Sequence, residues 1–134
     1  MIVVDTSSVV AIFRQEPDAA DYAWRIEADD QPQISAASLL ETSMVLRGLK
    51  LISAPQAEAW LDEFIVAAGL TIAPVTVDQI DLARRAHVRF GKGGGHRAQL
   101  NFGDCFSYAL SRALDAPLLF KGEDFTYTDV KAAL

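Results

Sequence analysis

Short apolar runs rich in β-branched residues alternate along this chain with longer stretches whose apolar residues recur at helical spacing. The short runs are Ile2–Val4, a segment around Ile34, residues 70–75 and residues 118–120. Each is brief and almost wholly apolar, as expected of a strand buried on both faces of a parallel sheet. The longer stretches predict five helices. One opens near Pro17 and runs through Ala20, Trp24 and Ala28, and a second covers residues 38–49. A third begins at Ser53-Ala54-Pro55 and carries Ala57, Trp60, Leu61 and Phe64. Val77–Phe90 is the fourth, and Phe102–Leu114 the fifth, with Phe106, Ala109, Leu110 and Ala113 on one face. Strand alternating with helix predicts an α/β fold: a central, mostly parallel sheet flanked by helices in an α/β/α arrangement. No repeat or linker divides the chain, so residues 1–134 are read as one domain.

Such sheets bind ligands beyond the carboxyl ends of their strands, and the first predicted strand ends directly on Asp5. Composition then narrows the class. Apolar residues make up 51% of the chain, enough to build a core. The longest apolar stretch, from Phe64 to Val75, is broken by Gly69, Thr71 and Pro74 and falls short of a membrane span. Asp5 arrives too early for a signal peptide, and Cys105 alone makes no internal disulfide. These features predict a cytoplasmic protein with no membrane partner.

The net charge of −6 argues against unaided binding of nucleic acid. Its distribution changes that picture: Arg84, Arg85, Arg89, Lys92 and Arg97 share a stretch with no acid, while acids crowd residues 16–30. A solvated helix face explains such a cluster as simply as a binding surface does. Gly91-Lys92-Gly93-Gly94-Gly95-His96 lacks the order of a phosphate-binding P-loop and is read as a mobile surface loop.

Four acids carry the candidate chemistry, and each has a structural alternative. Asp5 suits a helix N-cap, though Thr6, Ser7 and Ser8 follow at once. Glu41 completes a capping box with Ser38 unless Ser35 starts the helix, which would put Glu41 inside it among Ala37, Leu40, Met44 and Val45. Asp104 opens a helix where its charge meets the helix dipole, with Ser107, Tyr108 and Ser111 along one stripe. Asp124 follows the last strand in a turn, with Glu123 as its rival. Taken together they are less ordinary. Two follow strands and two lie early in helices, which in a parallel sheet is one rim. Four carboxylates there repel one another unless a cation neutralises them, and oxygen-only ligands select Mg²⁺ or Mn²⁺ over Zn²⁺. His87 and His96 are read as surface residues.

The order Ile2-Val3-Val4-Asp5-Thr6-Ser7, then Glu41, then Gly103-Asp104, then Lys121-Gly122-Glu123-Asp124-Phe125, resembles the PIN-domain ribonucleases, and among them the VapC-type toxins of bacterial toxin–antitoxin pairs. The resemblance spans essentially the whole chain. It implies a Mg²⁺- or Mn²⁺-dependent endoribonuclease in which Asp5, Glu41, Asp104 and Asp124 hold the metal directly or through water. Thr6, Ser7 and Ser107 then support the site. It further implies a homodimer, a cognate VapB-like antitoxin whose tail covers the active site, and operator DNA bound only through that antitoxin. Arg85, Arg89, Lys92 and Arg97 become candidates for contact with the RNA backbone.

Three other classes compete. A receiver-type signalling domain also has an acidic Mg²⁺ site on a parallel sheet, and Lys121 suits it, but it needs adjacent acids after the first strand and a phosphoacceptor Asp after a central one. A D-x-D-x-T phosphohydrolase needs an acid where Ser7 stands. A catalytically inactive PIN-like scaffold that only binds RNA would have no use for four intact acids.

Overall fold

The computed structural model describes residues 1–134. Four strands form one parallel sheet: β1 (Ile2–Val4), β2 (Pro32–Ser35), β3 (Thr71–Ala73) and β4 (Leu118–Leu119), in the order β3-β2-β1-β4. Six helices connect and cover them: α1 (Thr6–Phe13), α2 (Ala19–Glu27), α3 (Ala36–Gly48), α4 (Ala54–Ala67), α5 (Val77–Phe90) and α6 (Phe102–Leu114). Period-two alternation in the strands assigns the two faces. Ile2, Val4 and Leu119 enter a core with Val9, Ile26, Ile34, Leu46 and Leu61. Val3 and Leu118 enter the opposite one with Phe90, Leu100, Tyr108, Ala109 and Leu110. The expected α/β/α layering is therefore present.

Strand order positions the site. From β1 the chain winds outward to β2 and β3, then returns to place β4 on the other side of β1. The winding reverses between β1 and β4, and that reversal opens a crevice above their carboxyl ends. Registers Val3↔Leu118 and Val4↔Leu119 bring the residue after β1, Asp5, beside the segment after β4. The bond from Asp5 N to Leu119 O, 2.9 Å, fastens the two together. A receiver domain has β3 beside β1; here β3 is the outer strand and no acid follows it, which removes that alternative.

Several expectations need correction. Helix α1 is not among the five predicted helices. Its Thr-Ser-Ser start and paired valines are weak helix formers, and burial of Val9 and Ala11 holds it in place. Helix α2 starts at Ala19, after Pro17, and buries Tyr22 and Ile26, while Ala20, Trp24 and Ala28 face solvent. Strand β3 is shorter than 70–75 and, being at the edge, exposes Thr71 and Ile72. In α6, Ala113 is exposed, and the stripe Asp104, Ser107, Tyr108 and Ser111 is buried along with the apolar face. The glycine segment leaves α5 as a run of turns, closed at its base by the Gly91↔Leu100 bridge.

Candidate active site

Asp5 is both a cap and a cleft residue. Its extended backbone ends β1, and its side chain caps α1 by accepting from Ser7 N at 3.0 Å. The same oxygen accepts from Ser7 Oγ at 2.6 Å, and the other from Ser107 Oγ at 2.5 Å. Three donors thus fix a carboxylate that is only 3% exposed. Ser7 Oγ in turn accepts from Lys121 N at 2.9 Å, tying the loop after β4 to the start of α1.

Ser35, not Ser38, caps α3, so the capping-box reading of Glu41 fails and Glu41 lies inside the helix. Its expected apolar surroundings differ as well: Leu40, Met44 and Val45 are exposed. Burial comes instead from α6, because a Cβ built on Gly103 would overlap Glu41 Oε2. A side chain at 103 would push the Glu41 carboxylate aside, so glycine lets the start of α6 lie close against it. Burial raises the Glu41 pKa, and the Asp5 charge adds to the rise.

Asp104 keeps its structural role and gains another. With Asn101 it completes a reciprocal capping box, Asp104 N to Asn101 Oδ1 at 2.9 Å and Asn101 N to Asp104 Oδ2 at 3.0 Å. Burial nevertheless pushes its pKa up to about 7 against that bond, and the charges of Asp5, Asp124 and Glu41 push the same way. Asp124 is exposed on the loop after β4 and lines the cleft, whereas Glu123 does not.

One open cleft therefore gathers Asp5, Glu41, Asp104 and Asp124 with Thr6, Ser7 and Asn101. Ser107 meets it from below through Asp5. Val10, Glu16, Val45 and Lys121 complete the wall, a placement that sequence reasoning missed. Lys121 Nζ is held at 2.7 Å from Glu16 and 2.9 Å from Asp18, which raises its pKa and lowers that of Asp18. The acid-rich stretch at 16–18 is the one sequence signal for that pairing. No three acidic, histidine or cysteine side chains converge closely enough to ligate one ion directly. A small hard cation here would complete its shell with water, as Mg²⁺ commonly does.

The family model that matches this chain is the PIN domain, over residues 2–131. This chain belongs to the PIN-domain family. Within it, the chain is 47% identical to Ribonuclease VapC28 of Mycobacterium tuberculosis, covering 99% of this chain and 98% of that one. Among solved structures, VapC20 of Mycobacterium tuberculosis, described as a sarcin-ricin loop cleaving toxin, superposes with a TM-score of 0.73 at 20% identity. That match covers 98% of this chain and 99% of the other. VapBC2 of Rickettsia felis, solved with a DNA fragment from its promoter, matches with TM-score 0.73 at 17% identity, over 98% and 97%. This PIN domain thus groups with the VapC ribonucleases in sequence and with VapC toxins in fold.

The basic residues stand apart from the acidic cleft, since none of Arg85, Arg89, Lys92 or Arg97 lines it. Arg85 and Arg89 border a separate groove on α5 and α6 with Tyr108 and Arg112. Arg89 reaches Asp129 at 3.8 Å, Lys92 is exposed in the glycine segment, and Arg97 lies 4.1 Å over the Tyr127 ring. His87 is exposed; His96 is half-buried, its Nδ1 accepting from Ala98 N. No helix is long and apolar enough to cross a membrane.

Proposed function

We propose that this chain is the toxin of a VapBC-type toxin–antitoxin pair, a Mg²⁺- or Mn²⁺-dependent endoribonuclease acting at Asp5, Glu41, Asp104 and Asp124. The observation that carries this reading is the meeting of those four acids, from four separate segments, around one cleft at the reversal of the sheet. Their donor set fits a hard divalent cation: all oxygen, no sulfur, and a buried Asp104 whose pKa is raised first by burial and further by the charges of Asp5, Asp124 and Glu41. When bound, that cation makes hydroxide available from water near neutral pH and draws charge from the phosphate oxygens.

The chain's own residues do the rest. Asp5, locked by Ser7 and Ser107, supplies a fixed oxygen that defines where the cation sits. Glu41 and Asp104 flank it from α3 and α6, and Asp124 closes the set from an exposed loop. Thr6 pins the turn of α3 below Glu41, and Ser7 aligns the Lys121 backbone against the cleft. Attack by water rather than by the 2′-hydroxyl leaves a 5′-phosphate and a 3′-hydroxyl. Arg85, Arg89, Lys92 and Arg97 contact the RNA backbone outside the cleft. The protein works as a homodimer in the cytoplasm, a cognate VapB-like antitoxin inhibits it, and operator DNA is reached through that antitoxin. Relatives named as VapC ribonucleases support the activity, and the promoter DNA in the Rickettsia felis VapBC2 structure supports the antitoxin arrangement.

The test is cleavage of a mixed structured-RNA pool by antitoxin-free protein with Mg²⁺ or Mn²⁺ and with EDTA, beside Asp5→Asn and Asp104→Asn. Metal-dependent cutting that disappears in both folded variants is expected. Cutting that survives both would overturn the site, and no cutting by folded, metal-loaded protein would favour an RNA-binding scaffold.

A further inference from the structure

Behind the acidic cleft lies a set of hydroxyls that solvent barely reaches. Ser107 and Thr42 are fully buried, Ser38 is 1% exposed and Thr6 is 7% exposed. They belong to α1, α3 and α6, and every buried polar side-chain atom in the chain has a hydrogen-bond partner. Hydroxyl groups have one proton each, so the bonds can be given directions. Ser107 Oγ donates its proton to Asp5 Oδ1 at 2.5 Å. The 3.0 Å contact between Ser38 Oγ and Ser107 Oγ must then be donated by Ser38, because Ser107 has no second proton. The turn carrying Ser38 is itself pinned, since Ser38 O accepts from Thr6 Oγ1 at 3.0 Å and from Thr42 Oγ1 at 2.7 Å.

We infer that Ser38 is a positioning residue for the reaction: its hydroxyl orients Ser107, and Ser107 orients Asp5 toward the cation. The inference rests on the proposed metal-dependent activity and deepens it. Ser38 touches no cleft-lining carboxylate in this arrangement. It fills one acceptor site of Ser107 and so leaves the Ser107 proton committed to Asp5. Without it, the Ser107 hydroxyl is free to turn toward a carbonyl one helical turn back, as mid-helix serines do. Asp5 then keeps its two bonds from Ser7 and loses the one that fixes its other oxygen.

Outer-shell partners of metal ligands typically alter affinity by roughly 10- to 100-fold. Mn²⁺ titration of the full-length chain is expected to show Ser107→Ala about tenfold weaker than the parent, with Ser38→Ala weakened in the same direction and by less. The double variant should match Ser107→Ala alone, because Ser38 acts only through Ser107. Ser38→Cys, which keeps the shape with a weaker donor, should fall between parent and Ser38→Ala. Thermal midpoints read in parallel confirm folding. Unchanged Mn²⁺ affinity in folded Ser38→Ala, or losses that simply add in the double variant, would overturn the inference. A metal-independent readout separates this relay from the proposed activity. In the cation-free protein the Ser107 hydroxyl proton should exchange slowly by NMR, and faster in Ser38→Ala. If the parent binds no Mn²⁺, the metal-dependent function falls and the proton alone decides: an exchange rate indifferent to Ser38 would refute the relay.

Discussion

Two clusters of like charge stand out in this chain, and the fold treats them oppositely. The acids at 5, 41, 104 and 124 are scattered over the sequence and converge on one cleft, where Asp5 and Asp104 are buried. The basic residues at 84–97 are neighbours in sequence, remain exposed, and settle for partners of their own, such as Asp129 and the Tyr127 ring. Density of charge along a chain is therefore a poor guide to chemistry. What matters is whether the fold desolvates charges against one another, since only then does repulsion become large enough to need a ligand.

That contrast can be broken in order of expected effect. Replacing an acid of the cleft should be the most damaging change. Asp5→Asn or Asp104→Asn is expected to lower RNA cleavage by ~10²-fold or more, and Asp104→Asn to hold or raise the thermal midpoint in the cation-free state. A milder loss would mean the cleft does not house the reaction.

Gly103→Ala comes next. A methyl group there overlaps Glu41 Oε2, so Glu41 must move, and cleavage should fall by roughly 10²-fold while the fold persists. Full activity in a folded Gly103→Ala protein would remove Glu41 from the reaction.

The third effect is on stability. Folded Asp104 holds its proton to about pH 7, whereas its ordinary value is 3.8. The native state thus binds more protons than the unfolded one between those values, and stability falls as pH rises through that window, then levels off. Cation-free protein should melt several degrees lower, roughly 4 °C per kcal/mol lost, at pH 7.5 than at pH 5.5. Mg²⁺ should raise the midpoint more at pH 7.5 than at pH 5.5, and Asp104→Asn should flatten the dependence. A pH-independent midpoint, read by calorimetry, would deny that burial among the other acids holds the proton on Asp104.

Smallest is the basic surface. Neutralising Arg85, Arg89, Lys92 and Arg97 together should raise KM and leave kcat nearly unchanged. The salt slope of RNA binding should shrink by about 0.7 for each phosphate no longer neutralised, if the RNA is single-stranded. An unchanged slope would assign those charges to solubility alone.

Much of this architecture is legible in the sequence. Helices α5 and α6 have the predicted bounds because strong N-caps, Thr76 and Asn101, precede clear apolar spacing. The four acids are identifiable because strand ends and early helix turns share one rim in a parallel sheet. Less visible is α1, whose residues favour helix only once packed. The buried stripe of α6 is equally hidden, since its serines find their partners only on a second helix. Ser38 resembles a cap because nothing in the local sequence shows that Ser107 lies 3.0 Å away. Gly103 stands out in sequence only as the neighbour of Asp104; its closeness to Glu41 is a meeting of α3 and α6 with no sequence signature.

The pairing of β1 with β4 has a consequence for how the protein is made. Asp5 is made long before Asp124, and the cleft that unites them forms only when Leu118 and Leu119 dock beside Val3 and Val4. A growing chain therefore carries no assembled centre until β4 has been made and has docked.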